Sequence, residues 1–151
     1  MAYALKEDIE DLRTVKSVRL AGYAERSFHI KLDIEKMNKS CFRLINHLDF
    51  KCFSKSNTDV KTYNCDISVA KWDIMENGFR FNITANRFLR NMVRSIVGTM
   101  LEIGRLKISD MDFQKILDSR DRSEAGFSVP ASGLFLTNVT YNEKFIKIWR
   151  K

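Results

Sequence analysis

The sequence predicts an α+β domain with elements in the order β-α-β-β-α-β, and three observations carry that prediction. Apolar residues alternate strictly at Phe79, Phe81, Ile83 and Ala85 against Arg80, Asn82 and Thr84, directly after an Asn77-Gly78 turn signal. Alternation at Phe28, Ile30 and Leu32 gives way at Asp33 to helical spacing through Met37, Cys41 and Leu44. The hairpin likewise runs straight into a helical pattern, Leu89, Val93, Ile96, Met100 and Ile103.

In chain order, Leu5, Ile9, Leu12 and Val15 lie three and four residues apart, which predicts a short amphipathic helix over residues 1–20. Residues 1–25 are therefore expected to be a helical appendage at the periphery of a domain spanning 26–151. The first strand is expected at Ser27–Leu32. Asp33 caps the following helix, with Ile34, Met37, Cys41, Leu44 and Ile45 on its buried side and its end near Asn46. Tyr63, Cys65, Ile67 and Val69 alternate with polar residues as a second strand would, and the Asn77-Gly78 turn returns the chain into the third. Asn86 is the expected cap, and Gly104 the expected left-handed end, of a helix that carries an apolar stripe and an arginine stripe. Arg87, Arg90 and Arg94 fall roughly 100 to 160° from Leu89 around its axis. Ser109 and Asp112 form the capping signature of a short helix that buries Phe113, Ile116 and Leu117. A loop from Asp118 to Ser132 contains Pro130, the only proline, and leads to a last strand, Gly133–Tyr141. With the short helix set aside, this is the ferredoxin-like order: an antiparallel sheet with helices on one face and the other face free for binding.

A chain of 151 residues with 44% hydrophobic residues can build its own core as one domain. Its formal charge of +7, with arginines interleaved among aromatics, points to an anionic partner, nucleic acid before acidic protein or lipid. No apolar run is long enough to span a bilayer, and the opening MAYALKEDIEDLR lacks the apolar core of a signal peptide, so no membrane association and a cytoplasmic location are expected. Cys41, Cys52 and Cys65 are odd in number and evenly scattered, which predicts buried reduced thiols. With His29 and His47 they have no metal-ligand spacing, so no metal is expected.

A surface helix ordinarily mixes charges, because opposite charges four residues apart stabilise it and like charges do the reverse. No Asp or Glu occurs between Arg87 and Thr99, so phosphates or a carboxylate from another element should face this stripe. Phe79, Phe81, Phe88 and Phe135 have the shape to stack on bases, but three of them occupy core-facing positions and core packing is the expected role. Lys144, Lys147, Arg150 and Lys151 form a basic tail of the kind common at chain ends. There is no Ser–His–Asp or Cys–His set, no phosphate-cradling glycine loop and no pair of carboxylates with evident roles.

From Phe28 to Tyr141 an ordered series of motifs carries a resemblance: LDIEKMN at 32–38, DFKCF at 49–53, TDVKTYNCDI at 58–67, FLRNMVRSIVG at 88–98 with EIGR after it, SRDR at 119–122 and AGFSVPASGLFLTNVTY at 125–141. Together they resemble the C-terminal half of the tRNA pseudouridine synthase A family. The resemblance implies isomerisation of uridine to pseudouridine in the tRNA anticodon stem-loop, without cofactor or metal, by a homodimer. It also implies that the nucleophilic aspartate, in an R-T-D-A-G motif, belongs to an N-terminal half. That motif does not occur in this sequence, so the chain alone is expected to be inactive. On the same resemblance, Arg94 of the M-V-R motif pairs with the absent catalytic aspartate. Leu134 of G-L-F-L lines the uracil pocket. Arg87, Arg90, Arg105 and Arg122 are candidate substrate contacts. The chain departs from the family pattern over its first 25 residues and at Asn46–Leu48 before Asp49. A non-catalytic RNA-binding module on a ferredoxin-like sheet is the alternative reading. A dimerisation domain whose basic stripe meets an acidic face is a third.

Overall fold

The computed structural model describes residues 15–25, 31–76 and 78–141. Four strands, β1 (Val15–Glu25), β2 (Ile67–Met75), β3 (Gly78–Ala85) and β4 (Leu134–Tyr141), form one sheet in the order β2-β3-β1-β4. Every neighbouring pair is antiparallel. Among the described residues three α-helices accompany it: α1 (Ile34–Ile45), α2 (Met92–Gly104) and α3 (Asp110–Ser119). The fold is thus a mixed α and β domain built on a small antiparallel sheet.

The first strand corrects two expectations. The helix predicted over residues 1–20 lies outside the described residues as far as residue 14, and from Val15 onward the chain is a strand. The segment is not peripheral either, since β1 sits between β3 and β4 and pairs with both, from Val18↔Ala85 to Glu25↔Gly78 and from Val15↔Tyr141 to Gly22↔Leu134. Two ladders of backbone hydrogen bonds outweigh a helical periodicity to which only Val15 contributes within this stretch. Of the strand expected at Ser27–Leu32, most falls on residues outside the description, and Lys31 and Leu32 are not in a strand. The basic tail at 144–151 also lies outside it.

The α1 helix follows the sequence closely. Asp33 accepts from the Lys36 amide at 3.0 Å, Asn46 ends the helix, and Met37, Cys41 and Leu44 are buried. Its Asn38 amide bonds both backbone groups of Trp72, donating to the carbonyl at 3.0 Å and accepting from the N–H at 2.8 Å. Because β2 is an edge strand, this side chain supplies the partner that another strand would otherwise provide. Trp72 stacks on Phe81 with ring centroids 5.0 Å apart, and its indole N–H meets Met100 Sδ of α2 at 3.4 Å. Both helices therefore pack on the sheet face that carries Trp72, Phe81 and Ile83. On the opposite face Asp73 is ringed by Lys71 Nζ at 3.1 Å, Arg80 at 3.5 Å and Asn82 Nδ2 at 2.8 Å.

The second strand starts at Ile67, later than the Tyr63 alternation implied, and Asn64 makes only an isolated bridge to Asp49. The β2–β3 ladder closes at Met75↔Gly78, so Gly78, expected in the turn, already belongs to β3. Phe79, Phe81, Ile83 and Ala85 are buried as predicted. Ser109 and Asp112 form the predicted capping box of α3, and Phe113 and Leu117 are fully buried. Arg43 and Ser40 of α1 both bond Asp110, at 2.5 and 2.9 Å, and tie the two helices together. All three cysteines are buried and free. Burial pushes the Cys41 and Cys52 thiols up to about 12 and the Cys65 thiol up to about 11. No helix among the described residues is long and apolar enough to cross a membrane.

Candidate functional site

The helix expected from Asn86 begins at Met92. Asn86 is used elsewhere: its N–H donates to the Asp66 carbonyl at 3.1 Å and its Oδ1 accepts from the Asp66 amide at 2.8 Å, which closes the end of the β2–β3 hairpin. Asn91 then adopts a left-handed conformation, φ 68°, that an α-helix cannot continue through. Arg87 and Arg90 are consequently in the connection, and the three arginines do not form a stripe on one helix. At the other end Gly104 is still helical. The left-handed residue is Leu106, φ 61°, with the Lys107 and Leu106 amides donating to the Glu102 and Ile103 carbonyls at 2.9 Å each. Gly104 serves packing, since a Cβ there would lie 2.5 Å from Met37 Sδ.

Arg94 stands on the first turn of α2, half-buried. Its Nε donates to the Val129 carbonyl at 2.7 Å, and the Val129 amide returns a bond to the Arg94 carbonyl at 3.2 Å. Among the described residues it has no ion pair, and Nη1 and Nη2 point to no acceptor there. The loop that holds it runs antiparallel along α2. Gly126 N–H donates to Thr99 Oγ1 at 2.8 Å, and Phe127 rests on Gly98 so closely that a Cβ at 98 would meet its carbonyl oxygen at 1.7 Å. Ser128 Oγ accepts from Asn91 Nδ2 at 2.7 Å and from Arg122 Nη2 at 3.0 Å. Arg122 Nη1 also reaches the Gly126 carbonyl at 3.1 Å and that of Ala125 at 3.4 Å.

The other expected site residues are distributed more widely. Leu134, five residues after Val129, opens β4 half-buried and packed against the core. Arg87 donates to the Thr62 and Asn64 carbonyls at 3.0 and 3.4 Å and so clamps the preceding loop. Arg90 is exposed, and its carbonyl accepts from Lys55 N–H at 3.0 Å. Arg105 pairs with Glu102 at 2.9 Å at the far end of α2, about 16 Å along the helix from Arg94 by its rise per residue. The structure therefore brings Arg94 and Arg122 onto one loop and leaves Arg105 apart. Phe135, weighed as a core or stacking residue, is half exposed, whereas Phe79 and Phe81 are core. Sequence reading missed Asn91, Gly98, Thr99 and Ser128. Small and polar residues hidden among apolar ones in a helix, and an asparagine just before it, are the only signal they leave.

An arginine held through Nε, with no acceptor for Nη1 and Nη2 among the described residues, can pair with a planar oxyanion. The comparisons fit that arrangement. A family model described as tRNA pseudouridine synthase matches residues 41–142. A tRNA pseudouridine synthase A of Porphyromonas gingivalis is 51% identical over 113 residues, 74% of this chain and 45% of that protein. Those of Bacteroides thetaiotaomicron and Parabacteroides distasonis are 50% and 48% identical over 115 and 118 residues, 74% and 78% of this chain, and 43% and 47% of their own. The chain thus spans a little under half the length of the curated relatives it matches. The matched region contains α2, the Gly126–Val129 loop and β4, and by it the chain belongs to the tRNA pseudouridine synthase family.

Proposed function

We propose that this chain is the C-terminal half of a tRNA pseudouridine synthase and supplies one wall of its active site. The observation that carries the reading is the anchored Arg94, whose Nη1 and Nη2 have no acceptor among the described residues. In the intact enzyme an aspartate of the N-terminal half attacks the target nucleotide in the tRNA anticodon stem-loop. The uracil detaches, turns and rejoins through carbon, an isomerisation that needs neither cofactor nor metal. Arg94 keeps that carboxylate ionised and fixes its orientation by a charge-assisted bidentate pair. Leu134 lines the uracil pocket, and Arg90 is the candidate phosphate contact among the exposed arginines. The strand order β2-β3-β1-β4 with antiparallel neighbours supports the ferredoxin-like description. A homodimer acting in the cytoplasm completes the reading.

The test is conversion of uridine in a tRNA transcript by the chain alone and by the chain joined to the missing half of a relative. The chain alone is expected to convert none, and the completed enzyme to turn over. In that enzyme Arg94→Gln should lower kcat by about a hundredfold or more with tRNA affinity retained, as for loss of one preorganised charge contact. The acid limb of its rate profile should also rise by about 1 to 3 pH units, because an opposite charge holds a carboxyl pKa down by that amount. A variant with weakened tRNA binding and a smaller salt slope but an unchanged catalytic step would favour the non-catalytic RNA-binding reading.

A further inference from the structure

Resting on that reading of Arg94, we propose that Arg122 and Asn91 are positioning residues. Acting through Ser128, they lock the Ala125–Val129 loop whose last carbonyl aims the Arg94 guanidinium. Three observations carry this. Arg122 does not present its fork to solvent as a phosphate contact would: Nη1 is on the Gly126 and Ala125 carbonyls and Nη2 on Ser128 Oγ. Asn91, at the position where a helix cap would bond its own first turn, makes no capping bond and instead donates to the same Ser128 oxygen. Ser128 is thereby held by a donor from each side, and the next residue, Val129, grips Arg94 through both its carbonyl and its amide.

The rest of the loop is fixed by α2 itself, at Thr99 through a hydrogen bond and at Gly98 through contact that leaves no space for a Cβ. A free arginine side chain turns about its last torsions, and only a fraction of its orientations match a carboxylate. Pinning Nε to a carbonyl that cannot move leaves Nη1 and Nη2 in one plane before the partner arrives, so the ordering cost is met on folding and not in the reaction. The span from two guanidinium nitrogens to three acceptors explains arginine at 122, since the donors of a lysine ammonium all radiate from one nitrogen.

The experiment follows the Arg94 Nε–H signal by nitrogen-15 NMR in this chain, in the wild type and in the Arg122→Lys, Ser128→Ala and Asn91→Gly variants. Glycine keeps the left-handed backbone at 91 while removing the amide side chain. Each variant is expected to speed exchange of the Arg94 Nε–H about tenfold, the loss of one net hydrogen bond, while amide exchange within α1 and α3 stays as it was. In the completed enzyme the same variants should lower kcat and leave tRNA affinity and its salt slope unchanged. An Arg94 Nε–H that exchanges like a free arginine in the wild type, or that is unmoved in all three variants, would overturn the proposal. So would full kcat in Arg122→Lys, the result a phosphate contact predicts. If Arg122→Lys fails to fold, Ser128→Ala and Asn91→Gly read the same contact. Should Arg94→Gln keep full kcat while the variants still move the Arg94 signal, the functional reading fails and the positioning stands.

Discussion

Gly98 shows at the scale of one residue how the loop and the helix are made to fit. Its missing side chain is the space that the Phe127 carbonyl occupies, at 1.7 Å from where a Cβ would be. Backbone cannot swing aside as the end of a side chain can, so Gly98→Ala must lift the loop. The expected loss is about 1 to 3 kcal/mol, the range for overpacking a well-filled site, read as a lower midpoint in urea with an unchanged slope. Gly104→Ala meets the end of a flexible methionine side chain, Met37 Sδ, and should cost less. A larger loss at Gly104 than at Gly98 would contradict this account. None of this was visible in the sequence, where both positions read simply as glycines in or after a helix. The packing partner lies 29 residues from Gly98 and 67 from Gly104.

Among the elements, α3 was the easiest to foresee because its start is specified by neighbours in sequence. Ser109 Oγ accepts from the Asp112 amide at 3.1 Å, and Asp112 in turn accepts from the Ser109 amide at 3.0 Å. The Ser109 backbone and hydroxyl, with Lys115 beside them, hold the Asp112 carboxyl down to about 2 from 3.8. A carboxyl lowered on folding stabilises the native state above its unfolded value and ceases to do so as pH falls through its folded one. Asp110, lowered first by the Arg43 hydrogen bond, acts in the same direction. Ser109→Ala should therefore lower the melting temperature at pH 7, and the gap to wild type should narrow between about pH 4 and pH 2. A gap that stays constant over that range would show that the capping carboxylate contributes nothing. For α2 the same local reasoning misplaced the start, since Asn86 is as good a cap by sequence as Asn91. What decided was the Asp66 backbone, whose N–H and carbonyl take both bonding groups of Asn86.

For the whole molecule, the order β2-β3-β1-β4 makes β1 an interior strand to which both β3 and β4 pair. Removing residues 15–25 would leave the β2–β3 hairpin with a bare β3 edge and β4 with no strand partner at all. Such a deletion is expected to abolish the cooperative urea transition, whereas removing a peripheral helix would leave it nearly intact. Retention of a sharp transition would reverse the placement of β1. The sheet also divides its two faces by chemistry. The face beneath α1 and α2 is apolar, and on the other Asp73 is surrounded by Lys71, Arg80 and Asn82. Burial raises the Asp73 carboxyl, but the hydrogen bonds and charges of Lys71 and Arg80 outweigh it and hold it below the ordinary value. Positive charge on this face is thus partly neutralised within the chain.

By itself the sequence determined the mixed α and β class, α1 and α3, the buried face of β3 and the family. These rest on local spacing, capping and motif order, which are written along the chain. Only the tertiary structure decided that Val15–Glu25 is a central strand, that the arginines at 87, 90 and 94 do not share a helix, and that Arg122 turns inward to the loop holding Arg94. The first two depend on backbone groups distant in sequence competing for the same hydrogen bonds, and the third on a loop conformation fixed by α2, none of which local periodicity records.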